Sequence, residues 1–573
     1  MNTDSNGRKK ISDRSKISRA VKSFVFGLLL AAATPVISDA KPPASDVDQL
    51  FETFIKTNDP GVAVLVAKDG KILFEKGYGL AEIEHRVPIT PETKFRIGSI
   101  TKQFTAAAIL KLQEEGKLSV ADKLSKFIPD YPRGNEVTLQ YLLTHTSGLH
   151  NYTQKQGFMQ RVTNAVTIED LIKSFKNDPY DFDPGTKTFF ENSGYVLLGY
   201  IVEKVSGTNY GAFLREKFFQ PLGMTNTGVY RANLGLTHEA VGYGIKDHKL
   251  ERAVNWDMSW AGGAGALYST VEDLYRWDEG VFNGKVLNEA SLKAAFTPVK
   301  TRENEGDNSG DGYGYGWEIN TVRGLREIAH PGGLSGFRGF LARLPDEKLT
   351  VVILGNAGPV APGPTPSTFA RHLEEMFAGD KMGPPLVLEV NPDISSAAFD
   401  AVTGRYDYGG PVLAVTRTGG QLFAQFGRQD KEEIFPLSET IYFWKGSDAI
   451  LVFVKDKSGR AVKAIWKQDD NIAYAPRLED LVAVKVNPAI YDQLAGKYDY
   501  GVGKSTLTVT RDGGHLYGQI SGQPKLELFP KSETEYFWKE VAAQLTFVKD
   551  ETGRVTKVIH RQGGRTYEAR KVE

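Results

Sequence analysis

The sequence predicts an α+β domain, an antiparallel sheet flanked by helices, followed by two all-β antiparallel barrels. Strand-turn-strand patterns open and close a mixed helical middle, and the C-terminal third repeats itself at an offset of about 94 residues. The length, 573 residues, calls for two or three separately cored units.

In order along the chain, Arg8, Lys9, Lys10, Arg14, Lys16, Arg19 and Lys22 make a basic lead. The apolar run Phe24 to Ala33 follows, then Ser38-Asp39-Ala40, which reads as a small-x-small cleavage site. The expectation is an export signal over residues 1–40, since an apolar run of roughly ten residues falls short of the ~20 that span a bilayer. A catalytic unit is expected over residues 45–380. Gly61 to Ala67, the turn Lys68-Asp69-Gly70 and Lys71 to Phe74 read as a hairpin; Gly339 to Arg343, the turn at Pro345-Asp346 and Leu349 to Leu354 read as another. Hairpins so far apart in sequence imply one sheet closed by the two ends of the unit.

From about Val390 helical patterns nearly vanish. Gly404-Arg-Tyr-Asp-Tyr408 recurs as Gly496-Lys-Tyr-Asp-Tyr500, and Phe435-Pro436 with Tyr442-Phe-Trp444 recurs as Phe529-Pro530 with Tyr536-Phe-Trp538. Two copies of one barrel are expected, over residues 388–484 and 485–573, each with roughly eight short alternating runs between Gly or Asp turns. Trp444 and Trp538 are expected as barrel interior in preference to a sugar- or peptide-stacking platform.

Composition excludes several functions. Hydrophobic residues at 41% and charged residues at 24% are ordinary globular values, and a net charge of zero leaves no basic stripe for nucleic acid. The absence of cysteine removes disulfides and thiolate chemistry, and the nine histidines show no metal-ligand spacing. No metal and no cofactor are expected, so covalent chemistry falls to oxygen nucleophiles.

Ser99-Ile-Thr-Lys102 opens a helical run from Phe104 to Leu112 that ends near Glu115, with Gly116 placed to stop it. A residue three positions on lies on the same helix face, so Lys102 can aim its amine at the Ser99 hydroxyl. A desolvated lysine gives up its proton far below its reference pKa, which makes it a base for the serine. The spacing alone is weak evidence, because Ser38-Asp-Ala-Lys41 has it too.

Context separates Ser99. Phe95 to Ala106, followed by Leu142-Leu-Thr-His-Thr-Ser-Gly-Leu149, resembles the first-motif region of the penicillin-recognising serine hydrolases related to class C β-lactamases (peptidase S12-like). Pro184 to Lys187, Asn192 to Gly199, Pro221 to Met224, Ala261-Gly-Gly263 with Ser269-Thr270, and His330-Pro-Gly332 follow in the family's order. The resemblance covers most of Val47 to Asn356 and implies a β-lactamase/transpeptidase-like fold. It implies that Asn192 orients the substrate, that His330 to Gly332 is the strand motif, and that Gly333 N–H joins Ser99 N–H as an oxyanion hole. One position departs: the family's second motif is Tyr-x-Asn, with the tyrosine a proton shuttle, whereas this chain has Phe190-Glu191-Asn192. Either Lys102 alone serves as base, or Glu191, Tyr195 or another nearby group substitutes, or catalysis is impaired. In an extended segment Glu191 should point away from the face that carries 190 and 192.

The layout of a catalytic domain with two barrels resembles bacterial D-aminopeptidases, and the repeats resemble the lipocalin-like tails of related serine peptidases. The expected function is a serine hydrolase of D-aminopeptidase or carboxypeptidase type, cleaving an amide or ester of a small peptide-like or cell-wall-derived substrate through an acyl-enzyme on Ser99. Esterase or weak β-lactamase chemistry at the same site, and a catalytically impaired cell-envelope binding protein arising from Phe190, are the alternatives. The expected location is periplasmic or secreted, with no membrane span after signal removal and no nucleic-acid partner.

Overall fold

The computed structural model describes residues 44–572 apart from 156, 232–233, 247–248, 302–309, 358–364, 385–387, 409–411, 428, 446–448, 469–470, 479–480, 482, 502–504 and 563–564. The expected export signal lies outside the described residues.

The first part is built on a seven-stranded antiparallel sheet. Its strands are β1 (Val62–Lys68), β2 (Lys71–Tyr78), β3 (Gly312–Tyr313), β4 (Glu318–Val322), β5 (Leu325–Leu334), β6 (Phe337–Leu344) and β7 (Leu349–Gly355). They lie in the order β3-β4-β5-β6-β7-β1-β2, so the two predicted hairpins meet where β1 pairs with β7 from Val62↔Gly355 to Lys68↔Leu349. Non-local pairing of the domain's ends thus closes the sheet.

Alternation along β1 sends successive side chains to opposite faces, and both faces are covered. Val62, Val64 and Val66 pack with α1 (Ala44–Phe54) and with Phe369, Leu373 and Phe377 of α5 (Pro366–Ala378). Ala63, Leu65 and Ala67 face the larger core, where α2 (Thr101–Glu114), α3 (Ser193–Ser206) and α4 (Val271–Phe282) lie. Eleven of the fourteen residues of α2 are buried, so the helix that follows Ser99 is a central core element.

The C-terminal part is all β, as predicted. Strands from Gly404–Asp407 to Asn471–Pro476 form an eight-stranded sequential meander, and a single antiparallel bridge links Tyr406 of the first strand to Arg477, just past the last. Strands from Gly496–Asp499 to Arg565–Lys571 form a closed barrel in the same order. A short helix precedes each and is tied by the same device: the Tyr406 hydroxyl donates to Val402 O at 2.7 Å, and that of Tyr498 to Leu494 O at 2.6 Å. Trp538 is buried in the second core, as expected; Trp444 is only half-buried and borders a cavity.

Candidate active site

Ser99 sits in a single 3-10 turn, Gly98–Ile100, that leads into α2. Gly98 holds φ +52°, and a Cβ there would lie 2.8 Å from Gly333 N, so only glycine allows the turn to press against β5. Gly332 is constrained in the same way, since a side chain there would run into Ile97 O. These glycines bring the strand motif beside the serine, with Gly333 next to the Ser99 turn.

Lys102, the second residue of α2 and one turn on from Ser99, is fully buried. Its Nζ lies 3.0 Å from Ser99 Oγ, 2.9 Å from Asn192 Oδ1 and 3.0 Å from Ala264 O. All these acceptors are neutral. Burial lowers the Lys102 pKa to about 7, opposed in part by the charge of Glu191. The same geometry serves both protonation states. An ammonium donates to all three oxygens, whereas a neutral amine keeps its bonds to Asn192 and Ala264 and turns its lone pair to the Ser99 hydroxyl.

The second motif precedes α3. The side chain of Phe190 is partly exposed, and its ring centroid is 4.7 Å from Lys102 Nζ. Glu191 points the other way and is buried, as alternation in an extended segment implies. Its carboxylate accepts from Gly194 N–H at 2.7 Å and Ser147 Oγ at 3.4 Å, and burial raises its pKa to about 7. Asn192 spends its side-chain oxygen on Lys102 and places Nδ2 3.5 Å from Thr153 Oγ1.

His330 is buried on β5, and burial and the nearby Lys102 lower its pKa to about 3. Its Nδ1–H donates to Pro331 O at 2.6 Å, which leaves Nε2 to accept from the Tyr313 hydroxyl at 2.9 Å. At neutral pH the motif-three position therefore presents an uncharged ring.

Ser99, Lys102, Phe190, Asn192, His330, Gly332 and Gly333 are thus gathered in one place. Several participants were not singled out from the sequence. Ala264 lies just beyond the noted Ala261-Gly-Gly263, and Tyr313 has no motif signal of its own. His145 lies in the matched Leu142 to Leu149 stretch. It braces the second motif: its carbonyl accepts from Phe189 N–H at 2.9 Å, its Nδ1 accepts from Glu191 N–H at 3.3 Å, and its ring lies 4.5 Å from that of Phe190.

A serine at a helix start facing a buried amine, under an antiparallel sheet covered by helices, defines the class: serine hydrolases of the β-lactamase and penicillin-binding-protein type. The chain belongs to the Beta-lactamase family, whose model matches residues 47–373, and a second model, a domain of unknown function (DUF3471), matches residues 480–570. Penicillin-binding protein 4* of Bacillus subtilis is 30% identical over 450 residues, covering 73% of this chain and 97% of that one. The octameric penicillin-binding protein homologue from Pyrococcus abyssi superposes with a TM-score of 0.54 at 27% identity, over 76% of this chain and 99% of that one. A D-stereospecific amidohydrolase from Streptomyces sp. shares the fold, with a TM-score of 0.51 at 23% identity over 59% of this chain and 99% of its own.

Proposed function

We propose that the chain is an exported hydrolase that opens an amide or ester of a small peptide-like substrate through an acyl-enzyme on Ser99. The observation that carries this reading is Lys102, a buried amine with a pKa of about 7 held 3.0 Å from Ser99 Oγ by neutral acceptors. In its neutral form Lys102 takes the Ser99 proton as Oγ attacks the substrate carbonyl. The tetrahedral oxygen is met by the N–H groups of Ser99 and Gly333, and Lys102 returns the proton to the departing amine or alcohol. Water then attacks the ester by the same route in reverse, freeing the acid and restoring Ser99.

A neutral His330 offers no cation for a substrate carboxylate, which favours amides and esters over the carboxypeptidase variant of this chemistry. The second reading, a ligand-binding protein with impaired turnover, rests on Phe190, which stands over Lys102 without a transferable proton.

The test is intact-mass analysis after exposure to a fluorophosphonate and, separately, a penicillin, with Ser99→Ala as control. A mass shift that the control lacks establishes an activated Ser99, and the reagent that labels distinguishes esterase-like from penicillin-recognising chemistry. No shift with either reagent moves the assignment to the binding protein.

A further inference from the structure

The two barrels carry cavities at matching places, of about 710 Å³ in the first and about 670 Å³ in the second. At the repeat offset Phe426 corresponds to Ile520, Gln429 to Gln523, Trp466 to His560 and Ala473 to Tyr567, and every one of these residues lines its own cavity. The volumes suit a small organic ligand. Their chemistry differs.

In the second barrel Trp538 is drawn into the core beside Gly518, where an added Cβ would lie 2.9 Å from the indole Cζ2. The first barrel has Ala424 at that position, so Trp444 cannot sink as far and stays half-buried at the cavity wall. Trp444 joins Tyr408, Phe426 and Trp466 as aromatic walls. Asp430 and Glu432 line the same cavity, and their counterparts in the second barrel are Pro524 and Leu526.

Among the described residues, the other charged lining group of the first cavity, Lys445, rests its ammonium 4.0 Å from the Phe435 ring centroid, as Lys539 does on Phe529 at 3.6 Å. In the second cavity Glu568 is paired with Lys557 at 2.8 Å, and burial lowers the His560 pKa to about 4. Aromatic faces and carboxylates together attract a cation with a flat apolar body.

We propose that the cavity of the first barrel binds a small arylalkyl ammonium, and that the second cavity does not share this preference. The site is independent of hydrolysis at Ser99. The experiment titrates the full chain with 1-naphthylmethylammonium, with 1-naphthalenemethanol and 1-naphthoate as uncharged and anionic counterparts, by calorimetry. Saturable binding of the cation at least about tenfold tighter than the alcohol is expected. Trp466→Leu should abolish it, and the Asp430→Asn, Glu432→Gln double variant should bring cation and alcohol to equal affinity with the melting temperature unchanged. Tyr567→Ala, in the second cavity, should leave binding intact. The proposal is overturned if the cation does not bind saturably, if the alcohol binds as well, or if a folded Trp466→Leu chain binds as the parent does.

Discussion

Two buried cations in one domain are treated in opposite ways. Arg343 on β6 is met by carboxylates: its Nη1 lies 3.0 Å from Asp278 Oδ2 and also bonds Glu279, while Thr350 adds a hydroxyl at 2.9 Å. Burial acts to lower its pKa, but the carboxylates outweigh it and the group is held charged. Lys102 is buried more completely still and receives only hydroxyl, amide and carbonyl oxygens. With no carboxylate in hydrogen-bond reach, burial wins and the amine titrates near neutrality. Burial of an ionisable group therefore does not by itself single out a candidate active site; burial with neutral partners, facing a serine hydroxyl, points to one.

That contrast can be broken at either end. Lys102→Met should lower fluorophosphonate labelling of Ser99 by at least about 10³-fold while leaving the melting temperature equal or higher, because a buried amine is exchanged for an apolar chain of similar length. Arg343→Met should do the reverse. It strands Asp278 and Glu279 and should cost about 3–5 kcal/mol in a denaturant titration, with the labelling rate per folded molecule retained. Phe190→Tyr sharpens the comparison by adding the proton carrier that Lys102 lacks, and should raise the labelling rate by roughly tenfold to a hundredfold. An unchanged rate would mean that Lys102 already performs the whole transfer.

Much of this was legible in the sequence where the physics is local. The Ser99 to Lys102 contact follows from helix geometry, and the inward turn of Glu191 from the alternation of an extended segment. The sheet closed by β1 and β7 was readable because both hairpins announce themselves by turn residues. Tyr313 was not readable: it reaches His330 from β3, with β4 between the two strands, so no spacing encodes the contact. The unequal burial of Trp444 and Trp538 was hidden as well, because it depends on Ala424 against Gly518 two strands away in the barrel, a difference of one methyl group.

Activation of Ser99 by the neutral form of Lys102 would tie Ser99 acylation to the titration of that amine. The rate of fluorophosphonate labelling should rise with pH through about 7 and then level off, as the Lys102 ammonium loses its proton. The Glu191 charge holds that pKa up, so Glu191→Gln should move the rise to lower pH. A rise that appears only near the ordinary lysine range, or one that Glu191→Gln moves upward, would contradict the account.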